Sequence, residues 1–102
     1  MTDQIQQKLQ EIIFLCKAHH VISFALFGSA AKDELYDKSD FDFLVQFSDK
    51  LDVLDYADNY FALQDKLEAL LGRRIDLVSI KSLKNPVLIE EINRSKVELY
   101  AA

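Results

Sequence analysis

Two aspartates, Asp40 and Asp42, open an otherwise apolar run, Asp40-Phe41-Asp42-Phe43-Leu44-Val45-Gln46-Phe47. If the run is a strand, Phe41, Phe43, Val45 and Phe47 share one face, and Asp40 and Asp42 fall on the other, roughly 6.5–7 Å apart. Carboxylates that face the same way repel each other and need a shared proton, an arginine or a divalent cation. Oxygen ligands on a rigid strand suit magnesium, which completes its shell with water and substrate phosphates. The strand centre is apolar enough to be stable without acids at its start.

Just upstream, Val21-Ile22-Ser23-Phe24-Ala25-Leu26-Phe27 reads as a buried strand that stops at Gly28. Ser29 is then placed to cap a short helix that includes Lys32 and Asp33. Glycine lets a bound group approach the backbone, free amides at a helix start favour phosphate, and Lys32 adds a charge-assisted contact. A third acid, Asp76, lies near the start of another apolar stretch, Ile75-Asp76-Leu77-Val78-Ser79, and faces away from Ile75 and Leu77. Gly28, Ser29 and Lys32 are thus candidate phosphate-binding residues and Asp40 and Asp42 candidate metal ligands, while Asp76 taken alone is either a third such acid or a solvent-facing residue of an edge strand.

Gly28-Ser29, ten intervening residues and Asp40-Phe41-Asp42 resemble the signature of the DNA polymerase β-like nucleotidyltransferases, closest to their minimal nucleotidyltransferase members. The resemblance extends along most of the chain, because Gly72-Arg73-Arg74-Ile75-Asp76-Leu77-Val78 is similar to that family's third-carboxylate strand, with Asp76 at the acid. Leu83-Lys84-Asn85-Pro86 with the acidic helix after it is similar as well. Two positions depart from the pattern. Asp33 stands where glycine is common, and Lys32 stands where arginine is commoner, keeping the charge but not the bidentate fork.

The resemblance implies an α+β fold, a small mixed sheet with flanking helices, and a reaction using ATP and two magnesium ions. Relatives of this kind pair with an all-helical HEPN toxin, act as its antitoxin, and transfer AMP to a tyrosine of that partner. The implied state is therefore a hetero-oligomer with a HEPN-domain toxin. The chain is not itself the ribonuclease, whose motif places a histidine shortly after an arginine. Here Arg73, Arg74 and Arg94 all follow the last histidine, His20. Two rivals stay open: a non-catalytic subunit that neutralises its partner by occlusion, and an enzyme acting on a small hydroxylated compound.

Positioning these groups requires a particular topology. Gly28 ends one strand and Asp40 starts the next, so those strands must run antiparallel. A helical stretch from Val53 to Leu71 then separates the second and third strands, and a crossover of that length favours a parallel pair. Such a mixed sheet brings Gly28, Asp40, Asp42 and Asp76 to one edge.

Residues 3–20 read as one helix, with Ile5, Leu9, Ile12, Ile13 and Cys16 on a stripe and Asp3 with Gln6 as a capping pair. In the long helix Tyr56, Tyr60, Leu63, Leu67, Leu70 and Leu71 recur on one face, and Gly72 is a natural cap. Pro86 suits the first turn of a last helix. Lys96 to Tyr100 reads as a short strand or an ordered extension. His19-His20 reads as a helix end, and Arg73-Arg74 either as phosphate neutralisers or as a solvated junction.

The 102 residues, half of them hydrophobic, fit one domain spanning 1–102, with neither a linker nor a repeat. No apolar run is long enough to span a membrane, and the single cysteine, Cys16, on an apolar stripe points to a reducing cytoplasm. The 17 acids against 12 bases give a net charge of −5 and leave no basic surface to grip a polyanion, so direct nucleic-acid binding is not expected.

Overall fold

The computed structural model describes residues 3–28 and 40–102. Among the described residues nine elements follow in order: helix α1 (Asp3–Gln7), α2 (Leu9–Ala18), strand β1 (Val21–Phe27), β2 (Phe41–Phe47), α3 (Val53–Leu71), β3 (Ile75–Ser79), a 3₁₀ turn (Ile80–Ser82), α4 (Pro86–Ser95) and β4 (Val97–Ala101). The four strands form one mixed sheet in the order β3-β2-β1-β4. β1 is antiparallel to both β2 and β4, whereas β2 and β3 are parallel. The antiparallel pair required to bring Gly28 to Asp40 and the parallel pair expected from the helical crossover are both present. The result is the small mixed sheet with flanking helices expected for an α+β fold.

Alternation along β2 divides the molecule into two layers of packing. Phe41, Phe43, Val45 and Phe47 enter the main core with Ile5, Ile12, Cys16, Leu63, Leu67 and Leu71 from the helices. The rings of Phe24 and Phe43 stack there at 4.8 Å, an arrangement that adds about 0.5–1.5 kcal/mol to area burial. On the opposite side of the sheet, Leu44 and Ala25 pack with Ile92 of α4. Of the α4 residues only Ile92 is buried, while Val87 and Leu88 stay exposed.

Local chemistry sets the ends of the elements. Asp52 caps α3 by accepting from the Asp55 amide at 2.8 Å, and Gly72 ends it in the left-handed region with its N–H on the Glu68 carbonyl at 2.9 Å. Asn85 caps α4 at the Val87 and Leu88 amides, and Pro86 occupies its first turn. The tail is a strand, β4, closing the sheet beside β1.

The N-terminal segment is not one helix. A turn at Lys8 separates α1 from α2, with Lys8 at φ −104° and ψ 9°. The bend carries Ile5 into the core and brings the Gln4 side-chain amide to the Leu71 carbonyl, one of the acceptors left free at the end of α3. A uniform stripe does not announce such a bend. Asp3 lies within the first turn of α1, where its charge favours the helix dipole, and does not stand outside it as a cap.

The helix ends at His19 as expected, and the ring of His19 is buried. Its Nε2 lies 3.1 Å from Lys66 Nζ and its Nδ1 3.1 Å from Asn59 Oδ1. Lysine can only donate, so Nε2 accepts and Nδ1 donates to Asn59. Both nitrogens are thereby engaged in joining α2 to α3. His20 follows at φ 63°, turning the chain into β1.

Cys16 is fully buried, and burial pushes its thiol up to about 12. It is therefore expected to resist disulfide reagents in the folded protein at mildly alkaline pH and to react only as urea unfolds the chain. Labelling followed in parallel with circular dichroism checks this; rapid labelling without denaturant would place α2 outside the stable core.

Candidate functional site

Strand register builds the site. Phe27, the last residue of β1, stands opposite Asp42 in the antiparallel pairing, and Asp42 stands beside Asp76 in the parallel one. Gly28 follows Phe27 directly, and Asp40 precedes the first residue of β2. Gly28, Asp40, Asp42 and Asp76 therefore meet at one end of the sheet, as the expected topology requires. Ser29, Lys32 and Asp33 lie outside the described residues.

Because alternation sends Phe41 and Phe43 into the main core, Asp42 shares the opposite face with Leu44. Asp42 is half-buried, whereas Asp40 and Asp76 are exposed. Burial raises the Asp42 pKa above its usual value, and the charges of Asp76 and then Asp40 raise it further. Among the described residues, the ion pairs involve Lys81 with Asp49 and Arg94 with Glu90 and Glu91, and none reaches these three acids.

Gly28 fits this site for two reasons. Its φ of +75° lies in the left-handed region, and a Cβ on it would sit 2.4 Å from Asp42 Oδ2. A side chain at this position would strike the carboxylate of the neighbouring strand. Gly72 shares the conformation, at φ +67°, but a Cβ there meets nothing within 4 Å.

Oxygen-only donors, mutual repulsion and a raised carboxyl pKa fit a hard divalent cation. Among the described residues no group of three or more acidic, histidine or cysteine side chains is arranged to hold a metal ion by itself. The acids instead line an open sheet end, which suits an ion that keeps waters and takes phosphate oxygens.

Arg73 packs on an aromatic ring. Its guanidinium lies 4.5 Å from the centre of the Phe41 ring. The Arg74 carbonyl accepts from the Phe41 amide at 3.3 Å, fastening the start of β2 to the chain ahead of β3.

Sequence reasoning assigned Tyr56 and Tyr60 to the core stripe and passed over their hydroxyls. Tyr60 donates to the Leu77 carbonyl, and Tyr56 donates to Ser79 Oγ at 2.6 Å. Burial, then the Asp76 charge, then Tyr56 raise the Tyr60 pKa. Glu68 accepts from the Ile75 amide at 3.2 Å. The available signal was that a buried tyrosine hydroxyl needs a partner, although the sequence does not name it.

Residues 7–102 match the family Polymerase beta, Nucleotidyltransferase. The protein adenylyltransferase MntA of Thermococcus cleftensis is 36% identical over 87 residues, covering 78% of this chain and 84% of its own. A crystal structure of a toxin–antitoxin with AMP-PNP contains a chain that superimposes with a TM-score of 0.71 at 26% identity, covering 92% of this chain and 73% of that one. A structure of tri-AMPylated Shewanella oneidensis HEPN toxin in complex with MNT antitoxin gives a TM-score of 0.65 at 25% identity, covering 95% and 72% respectively.

Two expectations follow from this geometry. Gly28→Ala should combine left-handed strain with a clash and cost about 2 kcal/mol or more, whereas Gly72→Ala should cost only the strain, about 1 kcal/mol. Urea denaturation of the two variants measures the difference. The second concerns pH. A carboxyl whose folded pKa is raised loses stability as pH climbs from the ordinary aspartate range through its folded value. Asp42→Asn in EDTA should therefore match the wild type below that window and exceed it in thermal midpoint at neutral pH. A lower midpoint at neutral pH would make Asp42 a structural anion.

Proposed function

The chain belongs to the polymerase β nucleotidyltransferase family, and from that premise we propose that it transfers AMP from ATP to a tyrosine hydroxyl of a HEPN toxin partner and so acts as its antitoxin. The observation that carries this reading is the convergence of Asp40, Asp42 and Asp76 beside the constrained turn at Gly28. The Thermococcus relative carries the name protein adenylyltransferase, and the Shewanella complex pairs MNT antitoxin with an AMPylated HEPN toxin. The toxin–antitoxin structure with AMP-PNP supports an adenine triphosphate as donor.

Asp40, Asp42 and Asp76 are the residues that would hold magnesium. When bound, magnesium screens the phosphate charge and favours in-line displacement. In the proposed reaction the acceptor oxygen attacks the α-phosphorus of ATP. A new oxygen–phosphorus bond forms as the bond to pyrophosphate breaks, and Asp76 receives the hydroxyl proton before passing it to solvent. Gly28 leaves room for the phosphates to reach the backbone, and Ser29 and Lys32 are assigned to the leaving pyrophosphate. The net charge of −5 disfavours a nucleic-acid acceptor. Among the described residues no helix is long and apolar enough to cross a membrane.

The partner mixed with this protein, ATP and magnesium should gain mass in whole AMP units, and none when EDTA replaces magnesium. The Asp40→Asn/Asp42→Asn variant should still bind the partner and add nothing. Intact-protein mass spectrometry with a binding assay separates the outcomes. Neutralisation without a mass change, equal for wild type and variant, would replace transfer by occlusion.

A further inference from the structure

Among the described residues β3 carries Asp76 at the edge of the sheet, where it is paired on one side only, with β2. It is five residues long, and its one partner strand is parallel. An edge strand this short would not by itself hold a carboxylate to the tolerance that phosphoryl chemistry demands. Three side chains of α3 take up the slack. Glu68 accepts from the Ile75 amide at 3.2 Å, the Tyr60 hydroxyl donates to the Leu77 carbonyl, and the Tyr56 hydroxyl donates to Ser79 Oγ at 2.6 Å.

The tethers fall on alternate residues, 75, 77 and 79. The first two grip the main chain of the residues immediately before and after Asp76. Holding both flanking residues fixes the direction of the Asp76 Cα–Cβ bond, while its carboxylate points away from Leu77 and out of the core. The third tether reaches a side chain well past Asp76 and does not constrain it in this way. Ring stacking makes the arrangement stiff: Tyr56 and Tyr60 lie nearly parallel at 6.4 Å, and Phe47 sits edge-on to Tyr56 at 5.1 Å.

We propose that Tyr60 and Glu68 are positioning residues for Asp76, bracketing it so that its carboxylate stays aligned with Asp42 across the β2–β3 pair. The inference rests on the reading of Asp76 as part of a cation site. Neither residue touches substrate. Tyr60→Phe removes the hydroxyl and keeps the ring. Glu68→Ala removes the acceptor for the Ile75 amide, and Glu68→Gln restores one.

The test uses Mn2+ as probe, followed by loss of the free-ion electron paramagnetic resonance signal, with thermal midpoints measured in EDTA for every variant. Wild type should bind Mn2+ at a site lost in Asp40→Asn/Asp42→Asn. Tyr60→Phe and Glu68→Ala should weaken that binding about tenfold, the lower end of what losing a partner of a metal ligand costs. Glu68→Gln and Tyr56→Phe should stay within about twofold of wild type, although Tyr56→Phe loses a hydroxyl contact and midpoint as Tyr60→Phe does. Equal Mn2+ affinity in wild type, Tyr60→Phe and Glu68→Ala would overturn the positioning role. An equal weakening in Tyr56→Phe would overturn it too, reducing the tethers to general support of the strand. Should Tyr60→Phe not fold, the Glu68→Ala and Glu68→Gln pair decides. If wild type binds no Mn2+ at the aspartates, the cation site itself fails and the inference falls with it, an outcome distinct from the others.

Discussion

The parallel pairing of β2 with β3 is the constraint on which the rest of this molecule depends. It sets Asp42 beside Asp76 although all of α3 separates them in sequence. Slipping the register by one residue would turn Asp76 into the core and Leu77 out of it. The long helix is therefore more than a connection. Its length permits a parallel return, its apolar stripe covers the aromatic face of β2, and its polar atoms fasten the edge strand it has delivered.

The same strand that builds the core also exposes the acids. Phe41 and Phe43 are fully buried, and Asp42 lies between them with the opposite orientation. Packing of the two rings fixes the backbone, and the fixed backbone holds a carboxylate where desolvation and neighbouring charge both disfavour its ionised form. Such tension between a stable frame and an unfavourable polar end is of the kind that gathers at functional sites.

Much of this was legible in the sequence because each signal had one physical interpretation. Alternation in Phe41–Phe47 named both faces of β2, and Gly72 and Pro86 marked a helix end and a helix start. What escaped depended on tertiary partners. The break at Lys8 serves the meeting of α1 with the end of α3, and the tyrosine hydroxyls find their acceptors on a strand that joins the sheet only after the crossover. Arg73 was open between a phosphate neutraliser and a solvated junction, and only the fold puts it over Phe41. For the candidate site, the sheet end and its acids were readable from spacing, whereas the side chains that steady Asp76 were not.

The crossover between β2 and β3 also orders events in time. Asp40 and Asp42 can take their places once β1 and β2 form a local antiparallel pair, but Asp76 joins them only after α3 has closed a long loop and docked. Loop closure of that length is entropically costly until the helix face is buried, so the last carboxylate arrives late in folding. A partly folded chain would own two acids and no third, however native its first half looked. The grouping of all three acids is thus a report that the crossover has closed and β3 has joined the sheet.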